Sequence, residues 1–383
     1  MKDGDLCARD YVTGESIRVQ WRNGQICAVL GPNQPTARDW WIAPALVDLQ
    51  INGYGGIDFQ QDQTTLGDLV LASRRLRAAG CARYLLTLVT DAWPRLVTRL
   101  RHLRYLRERS EELRHVIAGW HIEGPFLSAE PGYCGAHDPA FMLDPAPEHI
   151  RELREIVGED RVLLTIAPER SGAIAAIQQA VALGLKVSLG HTNAPAALLT
   201  QAVQQGAIGF THLGNGCPRE LDRHDNVLWR LFETGGLKVS LIPDTIHVSP
   251  ALFRLIHREL GPEAIYYTTD AMAAAGMKPG RYKLGRLELE VGPDQIVRLP
   301  GRPNFAGSAL RPIDGIFRAA SMLGCSWREV WPRFSVAPAT LMGLPCGLSA
   351  GMPADFCLLR VASDNVLSGL KVFARGEAQS TFN

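Results

Sequence analysis

The sequence lacks an excess of either sign of charge. Its 383 residues contain 40 lysines and arginines against 39 aspartates and glutamates, which gives a formal net charge of +1. Proteins that bind nucleic acid or anionic membranes usually carry a clear basic excess. We therefore expect neither nucleic acid nor a membrane as a partner, and any anion that the protein binds must be held by a local site.

Long apolar runs and paired cysteines are also missing. No uninterrupted apolar run approaches the roughly 20 residues of a membrane-spanning helix, and the first ten residues lack the apolar core of a secretory signal. The eight cysteines are scattered without a Cys-x-x-Cys pair. This distribution is typical of reduced thiols rather than of a disulfide framework or a structural zinc site, so we predict a cytoplasmic protein.

The sequence does contain an alternation of eight short apolar segments with amphipathic ones. Apolar segments rich in branched residues are typical of parallel strands buried on both faces, and the chain is long enough for a (β/α)8 TIM-like barrel of about 250 residues plus a smaller unit. An open doubly wound sheet is the alternative, disfavoured because no Gly-x-Gly-x-x-Gly follows the first strand. The predicted strands are Ile42–Ile51, Cys81–Val89, Val116–Ile122, Val162–Ala167, Lys186–Leu189, Ala207–Thr211, Leu237–Ile242 and Ala264–Thr268.

The amphipathic segments between the strands predict helices with one apolar stripe. Several of them begin with proline, which is favoured at the first position of a helix. The predicted helices are Leu66–Ala79, Arg95–Arg114, Ser171–Leu183, Pro195–Gln205, Pro250–Leu260 and Arg311–Gly324.

The two ends of the chain depart from this alternation. Short segments before residue 43 alternate in polarity around an Asn23-Gly24 turn, as antiparallel strands do, and the last forty residues look similar. We predict that residues 1–43 and 346–383 together form a small β-sandwich domain, with the barrel as residues 44–345 between them.

Polar side chains collect where the predicted strands end. Five of the ten histidines fall there or on an adjoining loop, at positions 121, 137, 191, 212 and 247. The active sites of such barrels lie at the carboxyl ends of the strands. Glu123, His191 and His212 could supply a carboxylate and two imidazoles to zinc or a similar ion, leaving a fourth position open for water as in catalytic zinc sites.

Two more strand-end residues fit a hydrolytic reaction. Asp270 could take a proton from water and pass it to a leaving amine, and His247 could hydrogen-bond the substrate or a developing oxyanion. Each residue alone has a simpler interpretation, as a loop histidine or a capping carboxylate. Their joint occurrence after strands three, five, six and eight is what favours a site.

Several sequence strings resemble the N-acetylglucosamine-6-phosphate deacetylases of the amidohydrolase superfamily. They occur in the same order over nearly the whole chain, and the strings that begin at His121 and at Thr269 are quite specific to that family. The strings are His121-Ile-Glu-Gly-Pro-Phe-Leu, Gly135-Ala-His-Asp, Gly190-His-Thr-Asn-Ala, Gly209-Phe-Thr-His-Leu, Thr269-Asp-Ala-Met-Ala-Ala-Ala-Gly, Phe305-Ala-Gly-Ser-Ala-Leu and Gly351-Met-Pro-Ala-Asp-Phe.

The resemblance implies one divalent metal ion per subunit on Glu123, His191 and His212, with Asp270 as general base and then acid. It also implies a homodimer and a set of substrate contacts. An arginine after the sixth strand would hold the phosphate, often across the dimer interface. The implied contact residues are Ala136, His137, Asn215, Gly216, Arg223, His224, His247, Phe305, Ala306 and Gly307.

The chain departs from the family pattern in three places. Gln50 and Asn52 stand where many amidohydrolases carry the His-x-His of a second metal, and neutral amides are poor ligands, so we read a one-metal enzyme. Asn215-Gly216-Cys217-Pro218 replaces the more usual Asn-Ala-Met-Pro, and the following loop to Asn226 also differs. Pro243-Asp244-Thr245 stands in place of Ala-Asp-Gly.

The expected reaction is therefore hydrolysis of the acetamide of N-acetylglucosamine 6-phosphate to glucosamine 6-phosphate and acetate. Zinc, iron, cobalt and manganese all suit the ligand set, zinc best. The alternatives are deacetylation of another N-acyl hexosamine phosphate such as N-acetylgalactosamine 6-phosphate, hydrolysis of an N-acyl amino acid, and a sugar-phosphate sensor that binds without hydrolysis.

Overall fold

A computed structural model describes residues 3–31, 39–300, 305–362 and 365–378. Its central element is an eight-stranded sheet in which every pair of neighbours is parallel, and a parallel bridge from Ile51 to Ala271 joins the first strand to the segment after the eighth. The predicted TIM-like barrel is confirmed. Its strands are Leu46–Ile51, Cys81–Val89, Ile117–Glu123, Arg161–Ile166, Lys186–Leu189, Gly209–Phe210, Lys238–Leu241 and Ile265–Tyr267.

Helices follow the barrel strands, and local signals account for several of their ends. Thr65 and Asp68 form a capping box at the first helix, and Ser249 caps the helix that starts at Pro250. The prediction of a single helix over 95–114 is wrong, because the first helix ends at Glu108 and Ser110 caps a second helix. The helices are Leu66–Ala78, Trp93–Glu108, Glu111–Val116, Pro147–Val157, Ala173–Ala182, Ala196–Gln204, Val227–Thr234, Pro250–Leu260, Pro312–Leu323, Trp327–Val330 and Val336–Leu341, with short 3₁₀ turns at Pro139–Phe141, Pro262–Ala264 and Trp331–Phe334.

Strands from both ends of the chain form one separate seven-stranded sheet, as expected. Its core contains Trp21 packed edge-on against Phe356 and Phe373. The strands are Gly4–Asp10, Ser16–Arg22, Gln25–Leu30, Trp41–Pro44, Phe356–Val361, Leu367–Ala374 and Glu377–Ala378. The domain boundaries at 43/44 and 345/346 stay a prediction, and residues 1–2, 32–38, 363–364 and 379–383 of the predicted domain lie outside the described residues.

The prediction of a single strand over Ile42–Ile51 is wrong. Trp41–Pro44 pairs with Phe356–Val361 in the terminal sheet, whereas Leu46–Ile51 pairs with Cys81–Val89 in the barrel. Both halves are buried, so the apolar pattern continues through the change of sheet at Ala45. Hydrophobicity alone therefore cannot reveal the break.

A small antiparallel sheet after the eighth strand was not predicted. It consists of Gly280–Leu284, Leu287–Val291 and Val297–Arg298 and covers part of the barrel mouth; a two-stranded ribbon, Gly53–Tyr54 with Ile57–Asp58, follows the first strand. In the part of the chain that the structure describes, no helix is long and apolar enough to cross a membrane.

Candidate active site

The carboxyl ends of barrel strands three, five and six bring Glu123, His191 and His212 together. His212 Nε2 lies 2.9 Å and His191 Nε2 lies 3.5 Å from the same atom, Glu123 Oε1. One donor atom from each residue falls within 4.8 Å of the others, and all three side chains are buried. Burial alone would raise the pKa of Glu123, but the two imidazoles lower it well below its usual range.

A hydrogen bond to the ring orients the imidazole of His191, whereas His212 is held through its backbone amide. His191 Nδ1 donates a hydrogen bond to the Tyr133 carbonyl oxygen at 2.8 Å. This fixes the tautomer in which the lone pair of Nε2, the nitrogen facing Glu123, is available to coordinate a metal. The His212 amide donates to Ser240 Oγ at 2.7 Å, and His212 Nδ1 is buried without a hydrogen-bond partner among the described residues. A hydrogen bond that fixes the histidine tautomer is the usual support of a metal ligand.

This donor set fits a divalent metal ion. One carboxylate oxygen and two imidazole nitrogens from three separate strands form the three-ligand pattern of catalytic sites, and the buried carboxylate has no arginine or lysine ion pair among the described residues. We conclude that the geometry supports a divalent metal centre here.

Asp270 lies beside this centre, at the end of strand eight. Its Oδ1 accepts hydrogen bonds from Gln50 Nε2 at 2.9 Å and from Asn52 Nδ2 at 2.6 Å, while Gln50 Nε2 also donates to Glu123 Oε1 at 2.8 Å. Burial, and next the charge of Glu123, raise the pKa of Asp270 to about 7. The two amides that stand in the second-metal positions therefore hold the carboxylates of the site.

His247 is fixed by the loop after strand seven. Its Nδ1 donates to Asp244 Oδ2 at 2.6 Å, and Asp244 Oδ1 accepts the amides of Ile246 and His247. Thr245 adopts a φ of 69°, a conformation that favours the glycine usual at this place in the family pattern. His247 lines the same pocket as the three candidate ligands.

One pocket of about 430 Å³ is lined by the three candidate ligands together with His247 and Asp270. His137 is held by a 2.8 Å hydrogen bond between its Nδ1 and Thr90 Oγ1, and its ring contacts that of His191. Of the other predicted contact residues, those that line the pocket are Ala136, Asn215, Gly216, Phe305 and Gly307. Ala306 is buried, 1% exposed, next to this wall.

Gly216 packs directly on a candidate ligand. It has a φ of 59°, and a Cβ at this position would lie 2.8 Å from His191 Nδ1. Alanine, usual at this place in the family pattern, would thus force this loop or the imidazole to move. The glycine departure is required by packing rather than being a neutral replacement.

Arg223 and His224 are not brought to the pocket within a single chain. Both are exposed on the loop before the helix Val227–Thr234, where Arg223 Nε donates to His224 Nε2. His121, one of the five strand-end histidines, is also outside the pocket: it is fully buried inside the barrel with Nε2 2.8 Å from Thr165 Oγ1, and burial lowers its pKa to about 4.

Sequence reasoning missed one wall of the pocket. Arg286, at the turn of the unpredicted hairpin, lines the pocket with its guanidinium 4.6 Å from the centre of the Phe141 ring and 3.2 Å from Asp91 Oδ1. The Leu-Glu-Leu-Glu alternation after Gly285-Arg286 is the signal that could have indicated this hairpin.

The fold and the site together define a metal-dependent enzyme of the amidohydrolase type. No family model matches the chain, but individual relatives do. It is 31% identical over 353 residues, 88% of its length, to N-acetylglucosamine-6-phosphate deacetylase of Danio rerio, covering 83% of that protein, and 32% identical to the human enzyme, covering 83% of the chain and 79% of that protein. The chain belongs to the N-acetylglucosamine-6-phosphate deacetylase family.

Solved structures agree with this assignment. A mutant N-acetyl-D-glucosamine-6-phosphate deacetylase of Mycobacterium smegmatis, determined in complex with N-acetyl-D-glucosamine-6-phosphate, superposes with a TM-score of 0.87 at 31% identity, covering 98% of this chain and 99% of that one. A Xaa-Pro dipeptidase at 13% identity, with a TM-score of 0.57 over 98% of this chain and 99% of that one, shares the fold alone.

Proposed function

We propose that this protein hydrolyses the acetamide of N-acetylglucosamine 6-phosphate to glucosamine 6-phosphate and acetate. The observation that carries the proposal is the meeting of Glu123, His191 and His212 with Asp270 in one pocket. The names of the relatives, and the substrate bound to the Mycobacterium smegmatis enzyme, support the choice of substrate.

The three ligands would hold a single divalent ion, and we propose zinc because a carboxylate with two imidazoles is a common catalytic zinc set. When bound, such an ion polarises a carbonyl and makes water more acidic. Gln50 and Asn52 occupy the first-strand positions with amide groups that donate to the carboxylates, which argues for one metal per chain. Elemental analysis of the purified protein would identify zinc, iron, cobalt or manganese.

Asp270 is the proposed general base and then acid. Because its Oδ1 is held by Gln50 and Asn52, its Oδ2 is the oxygen left to take the proton of the attacking water. The same proton then passes to the amine as the carbon–nitrogen bond breaks. His247, with Nδ1 bound to Asp244, presents Nε2 to the substrate or to the oxyanion that develops on the acetamide carbonyl.

We propose that the remaining predicted residues bind the sugar phosphate. Ala136, His137, Asn215, Gly216, Phe305 and Gly307 line the same pocket as the candidate metal ligands, and Ala306 is buried beside them. Arg223 and His224 are exposed beside Trp229, whose side chain is 42% exposed, and this fits a homodimer in which they reach the second subunit's pocket. The cytoplasmic location stays a prediction.

The decisive test is release of free amine by the purified, metal-analysed protein. N-acetylglucosamine 6-phosphate should be turned over, the unphosphorylated sugar should not, and N-acetylgalactosamine 6-phosphate should be much slower. Faster turnover of N-acetylgalactosamine 6-phosphate would make that sugar phosphate the substrate in place of N-acetylglucosamine 6-phosphate. Binding of the sugar phosphate without any product, in protein that carries its metal, would support the sensor alternative.

A further inference from the structure

The backbone of Asp270 has a left-handed conformation, with a φ of 52°. Few residues other than glycine adopt it, and it persists where the surrounding contacts impose it. Asp270 lies three residues after Tyr267, the last residue of the eighth barrel strand, where the chain leaves the sheet. The contacts that hold the peptide groups on either side of Asp270 therefore decide where its carboxylate points.

Thr269 supplies the first of these contacts. Its hydroxyl donates to Asp48 Oδ2 at 2.6 Å and accepts a hydrogen bond from the backbone amide of Ala271 at 3.2 Å. The hydroxyl of the residue before Asp270 is thus bonded to the amide of the residue after it. The Thr269 amide also donates to Asp48 Oδ2, at 3.0 Å. Rotation of the Asp270 backbone would break this pair of contacts.

Asp48 is the anchor of the arrangement. It lies in the first barrel strand and is completely buried. Its Oδ1 accepts hydrogen bonds from the Thr268 hydroxyl at 2.5 Å and from the Gln50 backbone amide at 3.1 Å, so both of its oxygens are hydrogen-bonded. Asp48 has no role in the proposed proton transfer. Burying its carboxylate costs free energy unless hydrogen bonds compensate for the lost hydration.

Ser308 holds the opposite side of the same turn. Its hydroxyl donates to the Thr269 carbonyl oxygen at 2.5 Å, and its amide donates to the Asp270 carbonyl oxygen at 2.8 Å. Its own carbonyl oxygen accepts the Met272 amide at 3.0 Å. Ser308 is 1% exposed and follows the Phe305–Gly307 pocket segment.

We propose that Asp48, Thr269 and Ser308 form a bracket that fixes the Asp270 carboxylate for proton transfer. They are positioning residues, because they act through the backbone of Asp270 and are not among the described residues that line the pocket. The inference rests on the proposed function, in which Asp270 is the group that moves the proton. Misplacement of a reacting group by about 1 Å can cost on the order of 100-fold in rate.

Thr268 provides a matched control for a purely structural role. Its hydroxyl bonds the same carboxylate as Thr269, and the two residues are equally buried, at 1% and 0% exposure. The Thr268 hydroxyl, however, bonds Oδ1 and does not reach the peptide groups that flank Asp270. If Asp48 only stabilises the fold, losing either hydroxyl should have the same effect.

The experiment compares Thr269→Val, Thr269→Ser, Thr268→Val and Ser308→Ala with the wild-type protein for kcat, KM, metal content and thermal midpoint. We expect Thr269→Val to lower kcat by about 10- to 100-fold with KM and metal content unchanged, and Thr269→Ser to restore it. Thr268→Val should retain kcat while losing similar thermal stability. Equal losses of kcat in the two valine variants, or full kcat in Thr269→Val, would overturn the inference.

Two further arms keep the test decisive. Should Thr269→Val fail to fold, Ser308→Ala takes its place, and wild-type kcat in that variant would refute the bracket. Should the wild-type protein not turn over the proposed substrate, the proposed function fails, and crystal structures test the bracket by themselves. A displaced Asp270 backbone in Thr269→Val but not in Thr268→Val would support it, and an unchanged φ of Asp270 would not.

Discussion

His191, His212 and Asp270 share an uncommon backbone conformation, with φ angles of 49°, 32° and 52°. Each follows a different barrel strand, and Thr245, beside His247, adds a φ of 69°. Positive φ angles in residues other than glycine concentrate at functional sites, where neighbouring contacts compensate their cost. Three of these residues carry the proposed chemistry and Thr245 lies in the loop that holds His247, whereas Gln295, with a φ of 60° between two strands of the small sheet at the barrel mouth, has no role in it.

Replacing Asp270 by asparagine should remove activity and keep the fold. The amide oxygen of asparagine can still accept from Gln50 and Asn52, but the side chain can no longer take a proton. We expect kcat to fall by about 100- to 10,000-fold, with a thermal midpoint close to that of the wild-type protein. Substantial turnover by Asp270→Asn would remove this residue from the mechanism.

Replacing His191 by glutamine should release the metal. The change removes the Nε2 atom that faces Glu123. The control is His102→Gln in the helix Trp93–Glu108, because the one hydrogen bond of the His102 ring among the described residues is to the Thr64 carbonyl oxygen. We expect metal content to fall from about one ion per chain to near zero in His191→Gln alone. Full metal content in both variants, measured after gel filtration, would contradict the proposed ligand set.

At the residue scale, the side chains at strand ends could be predicted, but the groups that orient them could not. Glu123, His191, His212 and Asp270 follow from the rule that barrel sites lie at the carboxyl ends of strands. The support of His191 is the carbonyl oxygen of Tyr133, 58 residues away in sequence, and a backbone oxygen has no sequence signal.

At the scale of elements, apolar runs locate the strands but not the sheet each strand joins. The run from Ile42 to Ile51 is apolar except for Asp48 and Gln50, yet it contributes strands to two sheets. The hairpin Gly280–Leu284 with Leu287–Val291 was missed because it lies outside the alternation of strands and helices, although it forms part of the pocket wall. Elements added to the regular barrel are the ones that its periodic pattern cannot indicate.

The hairpin wall leads to a prediction about substrate affinity. Arg286 places its guanidinium over Phe141 and against Asp91, so that it ties the hairpin to the loops after strands two and three. A partly exposed contact of this kind is worth about 0.5–1 kcal/mol, so Arg286→Ala should raise KM about 2- to 5-fold with little change in kcat. Arg281→Ala, exposed on the same hairpin, is the control, and an equal rise in KM there would assign the effect to hairpin stability.

At the scale of the whole molecule, one buried carboxylate ties the barrel to the terminal sheet. Asp355, just before the strand Phe356–Val361, accepts from Arg83 of the second barrel strand at 2.7 Å and from the Arg375 amide at 2.8 Å, and it lies 3.0 Å from His115 Nε2. Burial alone would raise the pKa of Asp355, but His115, followed by Arg83, lowers it to about 2. Its partners therefore stabilise the charged form.

This tie makes stability depend on pH in a defined direction. An aspartate in an unfolded chain has a pKa of about 3.9, so the folded value is depressed. The stabilisation is complete above the unfolded pKa and is lost as pH falls from about 4 through about 2. A depression of this size corresponds to roughly 2–3 kcal/mol of unfolding free energy at neutral pH.

Asp355→Asn should accordingly be less stable than the wild-type protein at pH 7, and this difference in stability should disappear in acid. Removing one partner of a buried ion pair costs about 3–5 kcal/mol, and Arg83, 6% exposed, would be left without its carboxylate. Thermal midpoints of the metal-free proteins, measured from pH 7 to pH 2.5, should converge as Asp355 is protonated. The ion pair of Arg311 and Asp314, with side chains 55% and 25% exposed, supplies the control, because Asp314→Asn should change the midpoint less than Asp355→Asn does at neutral pH. A constant gap between wild type and Asp355→Asn over this range would mean that Asp355 stabilises the two sheets by packing and not by its charge.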